Sequence, residues 1–506
     1  MKYYKLILFL FFVQFGKSQE ISGIILDSIS NEIIPFAAIT SSFGTSTITN
    51  EEGKFRIFND VPFSNMDTLF VSSMGYESKS FVIGNLKSLT INLISKVIEL
   101  ETVEVSNRVI LTAAEIIKKV SNNLVNTYDF GYYSKKVFWR ETSMSKTDNF
   151  KFKIKKSSIN EFDQVFMDSI TSTLPKKSNF YEETLSDFYG NKDPKNQKIS
   201  VLKSAKLLDK ENQISIESVQ DRIQPIVDLR IKPDSYFKFK SGFFPIDIQI
   251  SGFNLRSLDS SDNKRLDELK NKKFNQKKRF NSNNRNFIKK MFKYYLDFDF
   301  EKKKYNLEVF KKSRRYNFEL VELSYIGYDP IYIIDYSPKS SKGIFKGRLY
   351  IHADDFALVR IDYQSLLPLR DFSLFGVSFK IDYRFGRQIF KKNSNNKYDL
   401  YFSENSYKSS FGLNRPLKIV EKNKNVKGRR KQNELKMDIR FSANRIVKTE
   451  FIVLNNSSID KSIYDSYRVI EADLPYRLKE YDPDFWKGYN IIEPSEIIKE
   501  FKIDKN

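Results

Sequence analysis

The feature that most constrains this chain is a two-residue rhythm. Short runs in which apolar and polar residues alternate recur along its length, bounded by Gly, Pro, Asn or Asp. Arg348-Leu349-Tyr350-Ile351-His352 and Leu358-Val359-Arg360-Ile361-Asp362-Tyr363 are two of them, separated by Ala353-Asp354-Asp355-Phe356. A period of two puts successive side chains on opposite faces of a strand, and two such runs around a tight acidic turn make a β-hairpin. The runs Tyr332–Tyr336, Phe379–Tyr383 and Thr449–Leu454 repeat the pattern and are expected as neighbours in one large antiparallel sheet. The fold class is mostly β.

Cysteine is absent from all 506 residues, so there is no disulfide framework, thiolate nucleophile, cysteine metal site or lipid-bearing cysteine. Stability must come from core burial, and the length allows two or three domains with hydrophobic interiors. Met1-Lys2-Tyr3-Tyr4-Lys5 followed by the apolar run Leu6–Phe15 reads as a secretory leader, with Gly16 and Ser18 at positions −3 and −1 of a cut after Ser18. About ten apolar residues are too few to span a bilayer, and no later stretch matches them, so no transmembrane segment is expected after cleavage. Localisation is expected in the periplasm or at the outer membrane.

Lys and Arg number 85 against 63 Asp and Glu, a net charge of +22 that becomes +19 when Lys2, Lys5 and Lys17 leave with the leader. This balance favours anionic envelope partners such as lipid headgroups, lipopolysaccharide or acidic glycans; export puts nucleic acid out of reach. The alternative is a compositional bias with the charges simply solvated.

From Glu20 to Val105, short β-prone runs follow one another: Ile21–Asp27, Pro35–Thr40, Gly44–Thr49, Lys54–Phe58, Leu69–Ser72 and Leu89–Leu93. With no helical period between them they predict a small antiparallel sandwich. The pieces Ser22–Asp27, Ile34–Ile39, Thr49-Asn50-Glu51-Glu52-Gly53-Lys54-Phe55 and Ser73-Met74-Gly75-Tyr76 resemble the carboxypeptidase regulatory-like (transthyretin-like or prealbumin-like) domain found in envelope proteins of Bacteroidetes. The resemblance implies a structural or docking module without catalytic residues. Asn50 stands where that pattern more often has Asp, and it keeps the acceptor that closes the turn.

Thr112-Ala113-Ala114-Glu115 is a capping box, and Ile116, Ile117, Val120 and Leu124 follow at helical spacing, so a helix is expected to dock on the domain after it. The boundaries expected are a leader over 1–18, the sandwich over 19–105, linker and helix over 106–127 with a hinge near Ser106-Asn107-Arg108, and a large antiparallel β-rich α+β domain over 128–506. The hairpin Gly343–Tyr363 resembles the Gly-x-Leu-Tyr-Ile hairpin of LolA-type lipoprotein-carrier domains, which implies a curved sheet around an apolar cavity. The closing stretch Tyr481–Ile492 resembles the ending of Bacteroidetes envelope proteins that begin with the same module; its aromatic residues are expected to seal a core, ahead of a short helix Ser495–Phe501.

Chemistry is sparse. One histidine, His352, and no cysteine exclude nearly every zinc hydrolase, and no Gly-x-Ser-x-Gly elbow or phosphate-cradling loop is present. No cofactor, metal or catalytic residue is assigned. On its strand His352 is expected exposed or partly buried, and Asp354-Asp355 is read as turn chemistry. Between Lys264 and Lys293, Lys and Arg number twelve against two acids, Asp267 and Glu268. Within this basic insertion (256–293), Lys272, Lys273, Lys277, Lys278, Arg279, Lys289 and Lys290 are the candidate contacts for an anionic partner, with Phe274, Phe280, Phe287 and Phe292 interleaved. Either the segment lies on an anionic surface, or it is a solvated insertion with no partner. A second cluster, Lys427–Lys431, is expected at a loop tip. The function expected is non-catalytic binding or scaffolding in the envelope with a lipid, glycan or protein partner; the alternative is a carboxylate-dependent hydrolase of envelope glycan or peptide.

Overall fold

The computed structural model describes residues 19–59, 63–64, 66–83, 88–96, 111–128, 131–191, 193–208, 210–232, 235–242, 244–251, 275, 277–289, 308–423, 425, 430–473 and 475–501. The leader, the hinge near Ser106, and Lys272, Lys273 and Lys290 lie outside them. The chain is mostly β, and it divides into two compact units.

The smaller unit is a sandwich of two sheets. One carries β4 (Lys54–Asn59), β1 (Gln19–Asp27) and β7 (Ser88–Leu93) in that order; the other carries β3 (Ser46–Ile48), β2 (Ala38–Ser41), β5 (Thr68–Ser72) and β6 (Lys79–Val82). The expectation of a purely antiparallel sandwich is corrected here, because β1 and β7 run parallel. Ile21, Ile25, Ile39, Phe55, Ile57, Leu69 and Val71 fill the core between the sheets. Gly23 is required by its neighbours: a Cβ there would lie 2.6 Å from the Leu89 carbonyl oxygen and 2.7 Å from the Phe55 ring. Asn50 Oδ1 accepts from the Glu52 and Lys54 amides, both at 2.9 Å, and Gly53 completes the turn at φ +70°.

The same unit takes in Asp482–Lys499, which corrects the contiguous 128–506 boundary. The reason is the open edge of β4. Asn490 pairs with the Phe58 backbone in both directions, accepting from its N–H at 2.8 Å and donating to its C=O at 3.0 Å, as a neighbouring strand would. Arg56, buried on β4, finds its partner in Glu493 at 2.9 Å, and Lys54 meets Glu496 at 2.8 Å. Asn50 Nδ2 also donates to the Pro494 carbonyl at 3.4 Å, a bond that an ionised Asp could not make. Trp486, Ile491 and Ile492 are buried, while Tyr481, Phe485 and Tyr489 stay half-buried, so of the aromatics expected to seal a core Trp486 is the fully buried one. The closing helix is shorter than expected, Glu496–Lys499.

The larger unit opens with α1 (Ala113–Thr127), whose Thr112–Glu115 capping box forms and whose Ile116, Ile117, Val120 and Leu124 are buried. Its sheet is built from β8 (Tyr133–Ser157), β9 (Lys177–Gly190), β10 (Gln197–Leu208), β11 (Tyr236–Ser241), β12 (Phe244–Ser251), β13 (Tyr316–Ile326), β14 (Asp329–Pro338), β15 (Phe345–His352), β16 (Ala357–Ser365), β17 (Arg370–Leu374), β18 (Val377–Lys392), β19 (Tyr398–Lys422), β20 (Lys431–Ser458) and β21 (Tyr476–Leu478). The order is β13-β14-β15-β16-β18-β19-β20-β8-β9-β10-β21, with β17 on β18 and β11 on β19. All the runs expected as sheet neighbours join it, and β15–β16 is the expected hairpin. Strands β8, β19 and β20 are 25, 25 and 28 residues long, so at about 3.3 Å per residue they reach well past the other strands. Helices α2 (Gln164–Thr173), α3 (Lys210–Arg230) and α4 (277–289) belong to this unit. Beyond Lys146, β8 has lost its β9 partner, and the Gln164 side chain takes over: it accepts from the Ile154 amide at 2.9 Å and donates to the Phe152 carbonyl at 2.8 Å.

Replacing Asn490 with Ala should free both backbone groups of Phe58 and cost about 1–2 kcal/mol locally. Hydrogen exchange read peptide by peptide should then show β4 losing protection while β8 and β20 keep theirs. Unchanged exchange across β4 would mean that the terminal segment does not complete this edge.

Candidate binding sites

A row of charges crosses the large sheet at one level. Asp335, Arg348, Asp362, Arg387, Glu404, Glu450, Arg140 and Glu183 are successive register partners on β14, β15, β16, β18, β19, β20, β8 and β9. Signs alternate except at Glu404 and Glu450, and there Lys448 bridges the two acids at 3.6 and 3.5 Å. Arg348 forks onto Asp335 at 2.6 and 2.9 Å, Arg387 lies 3.5 Å from Glu404, and Arg140 meets Glu183 at 2.6 Å and Glu450 at 3.5 Å. Burial rises along the row until Arg140 is only 1% exposed. Burial pushes the Glu450 carboxyl up, but Lys448 and Arg140 outweigh it and hold the pKa below the ordinary value. Every acid of the row lies beside a cation, the arrangement in which buried charges are tolerated.

Among the described residues no group of three His, Asp or Glu could hold a metal. His352 corrects its expectation, being buried together with Tyr350 two residues before it, because the face of β15 that carries both is covered at this end of the strand. Its Nδ1 accepts from the Asp355 amide at 3.2 Å, which fixes the hairpin turn. Asp354 faces solvent, whereas Asp355 accepts from Tyr398 at 2.8 Å and pairs with Lys392 at 2.6 Å, so the two acids diverge as turn residues do. Lys391 packs its ammonium 3.8 Å from the Tyr401 ring centre, and burial pushes its pKa down to about 8. One acidic couple differs from the rest. Glu141 and Glu182 are direct cross-strand partners, and burial raises both pKa values, against Arg445 at 3.4 Å and Lys206 at 3.0 Å respectively.

The opposite face of the long strands is apolar. Phe372, Phe379 and Phe411 are partners across β17, β18 and β19, and one step on Val377, Leu413, Phe441 and Phe150 line up across β18, β19, β20 and β8. Phe150 meets Phe441 edge-on with ring centres 5.4 Å apart, and Phe441 lies 6.0 Å from Phe411. Phe372 and Phe411 are largely exposed. Further rows, Ile439–Phe152 and Met437–Ile154, lead down the same face to Ile419–Leu435. There α2, α3 and β11 close over the sheet around a cavity of about 290 Å³, walled by Met167, Ile223, Val227, Phe237, Ile419 and Leu435 among others. Glu434 borders it and is gripped by Lys418 at 2.6 Å, Lys431 at 2.5 Å, Lys436 at 3.7 Å and Lys156 at 4.0 Å; the first two hold its carboxyl down to about 2.

Sequence reasoning missed both the row and the stripe. The signal for the stripe is Phe150-Lys151-Phe152-Lys153-Ile154, whose alternation puts rings on one face and ammonium groups on the other.

The basic insertion is partly a docked helix. Among the described residues of α4, Phe280, Asn281, Asn284 and Ile288 are buried and Phe287 lies against Trp139 with centres 4.7 Å apart. This corrects the picture of Phe280 and Phe287 meeting an external surface, since they meet the sheet. Lys277 pairs with Asp473 at 2.9 Å and Arg285 with Glu471 at 2.7 Å, pinning the helix to the segment before β21. Lys278 and Arg279 are exposed and Lys289 is half-buried. Between α4, β8, β9, β10 and β21 lies a second pocket of about 460 Å³, bordered by Trp139, Glu182, Lys206, Arg279, Asn284 and Arg477. It brings Arg279 of the seven candidates to a cavity, together with Arg477 and Lys206, which no sequence pattern linked to it.

Comparison with known proteins supports the resemblance read in the N-terminal sandwich. Residues 21–105 match the CarboxypepD_reg-like domain family. No curated protein matches the chain. Among solved structures it is similar to the Pseudomonas aeruginosa MucA/MucB complex, at 7% identity, over 65% of this chain and 93% of that one, with a TM-score of 0.14. A putative membrane-associated protein of unknown function from Bacteroides fragilis is similar at 10% identity, over 87% of this chain and 99% of that one, with a TM-score of 0.13. Likenesses at those TM-scores carry no inference about either fold or function.

Arg140→Met should leave Glu183 and Glu450 buried without their shared guanidinium and destabilise the large unit by about 3–5 kcal/mol, measured by urea unfolding at pH 7. The pH dependence has a fixed sign. Glu434 and Glu450 have folded pKa values below the unfolded value of 4.5, so the stability they contribute is present above about 4.5 and is lost as pH falls towards 2. Unfolding midpoints should therefore drop between pH 5 and pH 2.5, and less steeply in Arg140→Met. A flat profile for the native protein would contradict the assignment.

Proposed function

We propose that the chain is an exported, non-catalytic protein of a bacterial cell envelope whose large unit holds an apolar ligand, an acyl chain, in the cavity beneath α2 and α3. The observation that carries this reading is the cavity itself: about 290 Å³ with hydrocarbon and aromatic walls, near the lower end of the size range of small-ligand pockets, enough for one slim chain. Its position at the foot of a stripe of half-buried Phe and Ile side chains, with Phe372 and Phe411 exposed, supplies an apolar path along the sheet. Four lysines surround Glu434, and with Glu421 as the second acid in the lining, cations outnumber carboxylates by two at this border, which suits an anionic headgroup. The leader-like residues 1–18 and the LolA-like hairpin Gly343–Tyr363 point to the same compartment and the same class of ligand. The acids on the charge row, each beside a cation, are consistent with a protein that does no chemistry.

One observation favours a second reading, a carboxylate-dependent glycan hydrolase. Glu141 and Glu182 are neighbours with raised pKa values, and Glu182 borders the 460 Å³ pocket. Glu182→Gln should abolish any release of reducing ends from envelope glycan under this reading and leave lipid binding intact under the first.

Native mass spectrometry of protein taken from its own envelope should show a lipid adduct. Ile223→Trp, which fills the cavity, should remove the adduct while the circular dichroism spectrum and unfolding midpoint stay close to those of the native protein. Equal lipid on both proteins, or none on the native one, would overturn the proposal.

A further inference from the structure

The pocket beside α4 contains two buried polar atoms with nothing to bond to. Trp139 is 6% exposed and Asn284 3% exposed, yet the indole Nε1–H and the amide Oδ1 have no hydrogen-bond partner among the described residues. Both residues border the same cavity of about 460 Å³. Leaving a buried donor and a buried acceptor unsatisfied costs about 1–3 kcal/mol each, so their occurrence on β8 and α4, two of the elements that border this pocket, marks a place for a ligand with complementary groups. A hydroxyl can accept from the indole and donate to the amide oxygen.

Three further features narrow the class. Arg279 and Arg477 border the pocket, both are exposed, and neither makes an ion pair among the described residues. Glu182 is matched by Lys206 at 3.0 Å, so the two guanidinium groups leave the ionisable lining at +2. A planar fork suits a carboxylate or a phosphate better than any neutral group. Phe280 and Phe287 add ring surface beside Trp139, against which the C–H face of a sugar can pack. We infer that this pocket is a second ligand site, separate from the apolar cavity, and that it takes a sugar bearing an anionic group, with Trp139 and Asn284 reading hydroxyls and Arg279 and Arg477 reading the charge.

The site is independent of the acyl-chain reading. Trp139 lies near one end of β8, while Ser157, whose partner Leu435 walls the apolar cavity, ends the strand; the 18 residue steps from one to the other span roughly 60 Å of strand, too far for one small amphiphile to bridge. Failure of either binding test thus leaves the other standing.

The test is calorimetric titration of the full mature chain with four probes: a hexuronate trisaccharide, a sugar phosphate, the neutral trisaccharide maltotriose, and inorganic phosphate. At least one of the two anionic sugars should bind, at least tenfold more tightly than maltotriose and than inorganic phosphate, and which one binds tells carboxylate from phosphate. Arg279→Ala and Arg477→Ala should each weaken that binding about tenfold. Both are surface changes, and the unfolding midpoint confirms that the fold is kept. Trp139→Phe retains the ring surface but removes the donor and should weaken binding severalfold. The inference is overturned if neither anionic sugar binds, if maltotriose or phosphate binds equally well, or if the arginine substitutions leave affinity unchanged.

Discussion

The large sheet depends on contacts between opposite charges along a single row. Eight strands are held at one level by residues that are costly to bury singly and tolerable only as a set, because each acid needs the cation on the strand beside it. A one-residue slip of any strand would carry its member of the row to the other face, among aromatic rings, and strand its neighbours. The row therefore does for register what apolar packing alone does poorly on a wide sheet, where one Ile or Phe substitutes well for another. Further out along β8, β19 and β20, the face opposite the row is lined by apolar side chains.

From that apolar face follows where ligands can be met. The outer part of β8 alternates Phe or Ile with Lys, and β19 and β20 set Phe, Leu, Met and Ile on the same face, so one surface there is apolar and its reverse is polar. The helices occupy the apolar face at two separated places, α2 and α3 at one end of β8 and α4 at the other, and each leaves a space of different character. The difference comes from what the strands present beneath the helices, Ile419 and Leu435 in one case and Trp139 and Glu182 in the other. Two unlike pockets on one sheet are thus a consequence of one sheet having two unlike ends.

Local chemistry was legible in the sequence wherever it was written in adjacent residues. The capping box at Thr112, the turn at Asn50–Gly53, the β15–β16 hairpin and the burial of Trp486 all follow from neighbours in the chain. Pairings across hundreds of residues were not. Nothing near Arg140 announces Glu450, and nothing near Phe58 announces Asn490; a lone buried Arg or a single Asn looks in sequence like any surface residue. The basic insertion misled for a related reason, since Lys and Arg advertise solvent while the Phe and Asn residues between them decide where α4 lies. His352 misled because alternation tells which face a side chain takes and not whether that face is covered; Tyr350, on the same face, is buried too.

Asn490, Glu493 and Glu496 give the N-terminal sandwich its last edge from the opposite end of the polypeptide, with 432 residues between Phe58 and Asn490. For a ribosome this is an unusual schedule. The sandwich strands emerge long before Asn490 can complete them, and the β4 border stays open for all of the synthesis in between. Such a chain gains from a holding factor that covers exposed strand edges, and loss of Asp482–Lys499 would be felt first at the sandwich.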